Sequence, residues 1–144
     1  MSVEQNKTTL RRLYDEAWNK GNMSAVPDLV SPDYLYHGPQ RDFKGPDGYK
    51  DLVMSQRTVF PDIHYTIDEI VGEGDKLAYR VSVRGTYKGK LGDIDITGKK
   101  FAWTQGLFIH FKDGKCAGAL MFVDSLALYQ QAGVAPPGFE LAKK

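Results

Sequence analysis

Apolar residues recur every three or four positions near the start of the chain, which predicts an amphipathic helix. Ser2 and Gln5 have the spacing of a capping box, so the helix is expected to begin at Ser2. Gly21 follows as a typical helix end. The residues on the predicted buried face are Leu10, Leu13, Tyr14, Ala17 and Trp18.

Two further helices follow from the same kind of pattern. A short one is predicted over Ser24–Val30, because the dipeptide Ser31-Pro32 disfavours helical backbone. A short extended segment is expected over Tyr34–His37. A longer helix starts at Gly45-Pro46, where proline suits the first turn, and ends before Pro61. Its apolar stripe comprises Tyr49, Leu52, Val53, Val59 and Phe60.

From His64 to Val123 the pattern changes to strict alternation, which predicts β-strands. The run Lys88–Gly98 is rich in glycine and predicts a loop, and Asp113-Gly114 predicts a hairpin turn. A final short helix is predicted over Ser125–Ala132. One strand places Phe101, Trp103, Gln105, Leu107, Ile109 and Phe111 on one face, and the last strand does the same for Ala117, Ala119, Met121 and Val123.

Helices followed by a long antiparallel meander predict an α+β fold. A strongly curved sheet wrapped around the helices forms a cone, with an interior pocket between sheet and helices, where small molecules usually bind. We expect residues 1–135 to be one such domain and residues 136–144 to be a flexible tail.

Composition excludes several classes of partner. The 144 residues are 42% hydrophobic and 26% charged, with a net charge of +1, so a phosphate-binding surface is not indicated. No basic amphipathic helix or long apolar run points to a membrane. Cys116 is the single cysteine, and no signal-peptide pattern precedes the first helix. We therefore expect a cytoplasmic protein that binds neither nucleic acid nor membrane.

A series of short segments, taken in order and with their spacing, carries a family resemblance. They are Trp18–Asn22, Pro32–Tyr34, Tyr36-His37, Lys44–Pro46, Phe60–Asp62, Gly74-Asp75, Arg80 with Arg84–Thr86, Thr97–Lys99, Asp113–Lys115 and Asp124–Gly133. From Asn6 to Gly133 the chain resembles the SnoaL-like polyketide cyclases, within the superfamily of nuclear transport factor two. The resemblance implies a cone with a deep apolar pocket. It also implies ring closure of a polyketide by intramolecular aldol addition, without metal or organic cofactor.

The acid–base residues that the resemblance implies are replaced in this chain. The family's aspartate near the end of the last strand corresponds to Met121. Its histidine on the neighbouring strand corresponds to Leu107, and its wall asparagine on the third helix to Leu52. Methionine can act neither as a general acid nor as a general base.

Three polar residues remain as catalytic candidates. His37 matches a position at the pocket mouth where the family has histidine or asparagine, and imidazole exchanges protons near neutral pH; it can also be structural, bonding a backbone carbonyl. Gln105 lies on an apolar strand face, so its amide needs a partner, either a ligand carbonyl or a neighbouring group. Asp124 can be a base or the N-cap of the Ser125–Ala132 helix.

Large apolar residues are expected to shape the pocket, although a role in the core alone also explains Tyr14 and Trp18. His64 and His110 fall on outward strand phases, and the histidine spacing does not indicate a metal site. The candidate substrate-binding residues are Tyr14, Trp18, Tyr36, Leu52, Phe60, Trp103, Leu107, Ala119 and Met121.

Two functions follow from these observations. The first is a cofactor-independent cyclase, isomerase or lyase that moves a proton on an apolar, polyketide-like or aromatic carbonyl compound. His37 carries the proton in this hypothesis, and Tyr14 or Gln105 stabilises an oxyanion. The second is a non-catalytic binding protein of the same fold. We favour the enzyme because the rest of the family pattern is intact. A homodimer is expected, with Arg80 and Arg84 on the outer sheet face contributing.

Overall fold

The computed structural model describes residues 2–136, which form helices packed into a curved sheet. The helices are α1 (Val3–Arg12), α2 (Val26–Leu29), α3 (Gly45–Val59) and α4 (Ser125–Ala132). A π-helical segment, Leu13–Asn19, continues α1, and a 3-10 turn, Met23–Ala25, precedes α2. The strands are β1 (Val30–His37), β2 (Asp42–Lys44), β3 (His64–Glu73), β4 (Lys76–Thr86), β5 (Lys90–Leu91), β6 (Ile94–Asp95), β7 (Lys100–Lys112) and β8 (Lys115–Val123).

The start of α1 confirms the predicted capping box. The backbone N–H of Gln5 donates to Ser2 Oγ at 3.1 Å, and the backbone N–H of Ser2 donates to Gln5 Oε1 at 2.9 Å. These bonds satisfy amide groups that have no partner inside the helix. The predicted buried face is also confirmed, since Leu10, Leu13, Tyr14, Ala17 and Trp18 are all buried.

Six strands form the main sheet, in the order β2-β1-β8-β7-β4-β3. The predicted antiparallel meander is present, because β3, β4, β7 and β8 pair antiparallel in sequence order. β1 pairs parallel to β8, which the sequence did not predict, so the sheet is mixed. The sheet encloses α1 and α3, and the fold is the predicted α+β cone.

The second predicted helix is shorter than expected. Val30 was assigned to a helix over Ser24–Val30, but its backbone is extended, with φ −116° and ψ 130°. Val30 lies opposite Cys116 in the parallel pair of β1 and β8. Strand pairing therefore overrides the local helical pattern after Leu29.

A bulge in β8 changes the predicted inward set. His110 lies opposite Gly118, whereas Phe111 lies opposite Cys116, so Ala117 is an extra residue without a partner on β7. Ala117 is buried together with Cys116. Cys116, fully buried, takes the inner position opposite Phe111.

Two short strand pairings were not predicted from the sequence. β2 pairs with β1 next to the turn that contains Gly38, where a Cβ atom would lie 2.8 Å from the carbonyl oxygen of Arg41. β5 and β6 pair inside the glycine-rich run Lys88–Gly98.

No helix within residues 2–136 is both long and apolar enough to cross a bilayer. Apart from Pro136, the predicted tail lies outside the described residues, and the domain boundary stays a prediction.

Candidate functional site

The inner faces of β7 and β8 are open to solvent over part of their length. Ala119, Met121 and Val123 on β8, and Trp103 on β7, point inward by strand phase but are only half-buried. Val81, at an inward position on the adjacent strand β4, is fully buried. Incomplete cover over β7 and β8 therefore marks a mouth of the cone, which we call the inner mouth.

Most of the predicted apolar wall residues meet at the inner mouth. Leu107 lies directly opposite Met121, and Ile109 lies opposite Ala119. The Phe60 ring lies 5.3 Å from the Trp103 ring between centroids. Leu52 on α3 is half-buried and packs against the same core.

Gly85 on β4 provides the space that Phe60 needs. A Cβ atom at Gly85 would lie 3.0 Å from the Phe60 Cβ atom, closer than side chains normally pack. Any larger residue there would displace Phe60, whose ring packs against the Trp103 ring.

Gln105 is the polar group in this apolar wall. It lies opposite Val123 and is 9% exposed. Its Oε1 accepts a hydrogen bond from the indole N–H of Trp103 at 3.0 Å. The amide oxygen of Gln105 therefore has a neighbouring side chain as its partner, which was one of the two alternatives for this residue.

Tyr14 and Trp18 belong to the aromatic core beneath the mouth. The hydroxyl groups of Tyr14 and Tyr79 lie 2.7 Å apart, and the indole N–H of Trp18 donates to the Tyr49 hydroxyl at 2.7 Å. Burial raises the pKa of Tyr14, Tyr49 and Tyr79, so all three hydroxyls stay protonated. Their polar atoms already have protein partners, which supports the core role for Tyr14 and Trp18.

Tyr36 faces inward from β1. Its ring lies 6.1 Å from that of Phe43, the residue opposite it on β2. Desolvation raises the pKa of Tyr36, which is half-buried, so its hydroxyl remains an O–H donor at neutral pH.

The structure does not bring His37 together with this set. His37 follows Tyr36 and points to the opposite side of β1, where its side chain is 73% exposed. Its Nδ1 lies 2.7 Å from Asp42 Oδ1, on the adjacent strand β2. The sequence analysis expected His37 at the pocket mouth, but its side chain lies on the outer side of the hairpin.

Asp124 is the N-cap of α4, as one of the two interpretations proposed. Its Oδ1 accepts from the backbone N–H of Ala127 at 3.0 Å, and the residue is exposed. The carboxylate therefore stabilises the first turn of α4 at the end of β8.

The buried polar residues of the described chain are Asn6, Ser31 and Gln105, so residues 2–136 bury no carboxylate, imidazole or amine. The same residues contain no group of three or more histidine, cysteine or acidic side chains suited to a metal ion. Burial raises the pKa of the Cys116 thiol to about 12, which keeps it protonated.

One residue at the mouth was missing from the candidate substrate-binding residues. Val123 lies opposite Gln105 and is half-buried. Its place on the same strand phase as Ala119 and Met121 was the available signal.

A groove of about 360 Å³ lies mainly on the other side of the sheet and also contacts Trp103. Its position confirms that His64 faces outward, and His110 is likewise exposed. The enclosed apolar pocket inside the cone stays a prediction. The groove is lined by His64, Thr66, Ser82, Val83, Arg84, Ala102, Trp103 and Thr104.

Curated relatives are similar to the chain over most of its length. The aklanonic acid methyl ester cyclase DnrD of Streptomyces peucetius is 25% identical over 122 residues, 82% of this chain and 84% of the relative. The aklanonic acid methyl ester cyclase AcmA of Streptomyces galilaeus is 25% identical over 135 residues, 91% of this chain and 92% of the relative.

Solved structures share the fold. TsrD from Streptomyces laurentii superimposes with a TM-score of 0.82 at 22% identity, covering 94% of this chain and 99% of that one. IdmH from Streptomyces antibioticus gives a TM-score of 0.77 at 25% identity, covering 90% and 99%. The family model described as SnoaL-like polyketide cyclase matches residues 8–132. The chain therefore belongs to the SnoaL-like polyketide cyclase family.

Proposed function

We propose that this protein closes a ring in an apolar, polyketide-like carbonyl compound by intramolecular aldol addition, without a cofactor. The observation that carries the proposal is the inner mouth, an apolar wall that contains one amide, Gln105. Membership of the cyclase family and the named activity of the relatives DnrD and AcmA support the same reaction class.

The apolar wall suits a flat, uncharged ligand. Phe60, Trp103, Leu107 and Met121 offer aromatic and flexible apolar surface. An ionised group on the ligand would lose its hydration here without gaining a counter-ion from the described interior. The substrate class we propose is therefore a neutral ketone or ester.

The reaction rearranges atoms within one molecule. A carbon between two carbonyl groups loses its proton, and the enolate carbon then forms a bond to a ketone carbon of the same chain. The ketone oxygen becomes an alkoxide and takes up a proton, so no atom is gained or lost. The Nε2 group of Gln105 stabilises the negative oxygen, and the protonated Tyr36 hydroxyl is the available donor on the neighbouring wall.

The base in this mechanism is water or hydroxide at the mouth. By the family resemblance, Met121 corresponds to the acid–base aspartate, and the described interior buries no carboxylate or imidazole. A carbon flanked by two carbonyls is acidic enough for such a weak base. We therefore expect slow turnover that rises with pH.

The direct test is conversion of aklanonic acid methyl ester, followed by chromatography and mass spectrometry. We expect a product of unchanged mass and a loss of about 10²-fold in kcat/KM for Gln105→Leu, the effect of removing one oxyanion donor. Thr104→Val, a change on the outward phase of the same strand, is the matched control and should leave kcat/KM unchanged.

A non-catalytic binding protein is the second candidate. The specific observation in its favour is the absence of a buried carboxylate, imidazole or amine among residues 2–136. Saturable binding of the ester without any conversion over a range of pH would establish this second function instead.

We also propose a homodimer through the outer sheet face. Arg80 forms salt bridges with Asp68 and Glu69 of its own chain, at 3.1 and 3.3 Å. Its guanidinium is therefore less available for contacts with a second chain than the sequence suggested. Exposed apolar side chains lie beside these salt bridges. An apolar patch whose neighbouring charges are already paired can pack against the same patch of a second copy of the chain. The patch comprises Leu35, Phe108, Leu120 and Phe122. A solution mass equal to the 16.1 kDa monomer would refute the dimer, and Phe108→Glu should dissociate it.

A further inference from the structure

We propose that Trp103 is a positioning residue that makes Gln105 a hydrogen-bond donor to the ligand, so that the site selects a carbonyl or enolate oxygen over an N–H or O–H group. The inference rests on the proposed function, since it assigns the chemistry of one contact in the same site. It predicts a preference between ligands of equal size.

The first step is the orientation of the amide. The indole N–H of Trp103 lies 3.0 Å from Gln105 Oε1. An indole N–H only donates, and a glutamine amide accepts only through its oxygen. The chemistry of the pair therefore decides that the oxygen end of the amide faces Trp103.

The second step is the position of the indole itself. Trp103 and Gln105 are two residues apart on β7 and thus share the inner face of the sheet. The Phe60 ring holds the indole at 5.3 Å, and Phe60 sits against Gly85. The donor that orients Gln105 is therefore fixed by packing on a strand rather than on a loop.

The third step concerns the other end of the amide. Within residues 2–136, Nε2 of Gln105 has no hydrogen-bond acceptor, and the buried unpaired polar side-chain atoms belong to Asn6. Nε2 is therefore accessible from the mouth, with Leu107 and Val123 as its inner-face neighbours.

A ligand oxygen opposite Nε2 gains a hydrogen bond, whereas a ligand N–H there leaves two donors facing each other. A net hydrogen bond is equivalent to about a tenfold change in affinity, and leaving buried donors unpaired adds to this. Without the indole N–H, the amide can rotate and present either atom. Trp103 thus contributes to selectivity through Gln105 and not by touching the polar end of the ligand.

The test compares two flat tricyclic probes of nearly equal size. 9-Fluorenone has a carbonyl oxygen at the bridge position, and carbazole has an N–H there. Dissociation constants are measured by equilibrium dialysis at pH 8 on the full chain. For the wild type we expect fluorenone to bind at least tenfold more tightly. In Trp103→Phe, which keeps a ring but removes the N–H, the ratio should fall to about threefold or less.

Gln105→Glu provides a second, independent variant. The carboxylate still accepts from Trp103 but offers no donor to the ligand, so the preference should reverse toward carbazole. Thr104→Val, on the outward phase of β7, should keep the wild-type ratio. Circular dichroism shows whether each variant is folded. If Trp103→Phe does not fold, the proposal is judged on the probe ratio of Gln105→Glu.

An unchanged ratio in a folded Trp103→Phe or Gln105→Glu overturns the proposal, as does failure of both probes to bind the wild type. The proposed cyclase activity is judged separately by turnover of the ester. Selective probe binding without turnover supports the positioning role and refutes the cyclase. Turnover of the ester together with an unchanged probe ratio in the variants supports the cyclase and refutes the positioning role.

Discussion

The hydroxyl groups of Tyr14 and Tyr79 lie 2.7 Å apart in the buried core, one on the helical segment after α1 and one on β4. Each is the polar partner of the other among the described residues, and their rings meet edge-to-face at 5.7 Å. The pair links the first helix to the centre of the sheet.

Breaking this pair should cost stability. In Tyr14→Phe or Tyr79→Phe, the remaining hydroxyl is buried without a partner, so each variant should lose about 1–3 kcal/mol of unfolding free energy. The double variant leaves no unpaired group and should lose less than the sum of the two. Urea unfolding of all four proteins gives the coupling energy. Simple additivity would show that the two hydroxyls do not depend on each other.

Alkaline pH should destabilise the fold through its buried tyrosines. Burial raises the pKa of Tyr14, Tyr34, Tyr49, Tyr65 and Tyr79 in the folded state above the value of ~10 in the unfolded chain. These tyrosines therefore add no pH dependence to the unfolding free energy below pH ~10 and lower it as the pH rises further. Absorbance at 295 nm follows ionisation while circular dichroism follows the fold. Ionisation of these tyrosines in a fully folded protein would contradict the prediction.

Asn6 should be replaceable with a gain in stability. It is fully buried on α1, and neither Oδ1 nor Nδ2 has a hydrogen-bond partner among residues 2–136. Leucine has the same branching at Cγ without the unpaired polar atoms, so Asn6→Leu should raise the unfolding free energy by about 1–3 kcal/mol. Thr8→Leu, at an exposed position of the same helix, should stay within about 0.5 kcal/mol of the wild type. A loss of stability in Asn6→Leu would refute this account.

Asp124 should act on stability and not on chemistry. Its bond to the Ala127 N–H caps α4, so Asp124→Ala should cost about 1 kcal/mol, while Asp124→Asn caps nearly as well. Thermal unfolding separates the two variants. Loss of turnover in a well-folded Asp124→Asn would instead identify Asp124 as the base.

His37 should be dispensable for turnover, contrary to the role that the sequence suggested. Its side chain is on the outer side of the β1–β2 hairpin, paired with Asp42. His37→Ala should therefore change kcat/KM less than threefold, against about 10²-fold for Gln105→Leu. A loss of 10²-fold in His37→Ala would restore the histidine as the proton carrier.

The sequence by itself determined the elements that depend on local chemistry. The capping box at Ser2, the longest helix from Gly45 and the N-cap at Asp124 were readable because each involves neighbours in the chain. The alternation along β4 and β7 likewise predicted which side chains point inward, including Gln105 and Trp103.

Tertiary structure decided what depends on pairing between distant segments. The parallel contact of β1 with β8 extended Val30 out of its predicted helix, and the bulge at Ala117 moved Cys116 to the inner face. The side of the β1–β2 hairpin on which His37 lies follows from its register with β2, since a shift of one residue reverses the facing of a side chain. The hydrogen bond from Trp103 to Gln105 Oε1 likewise depends on tertiary packing. The Trp103 ring packs against Phe60, which lies more than forty residues earlier in the chain.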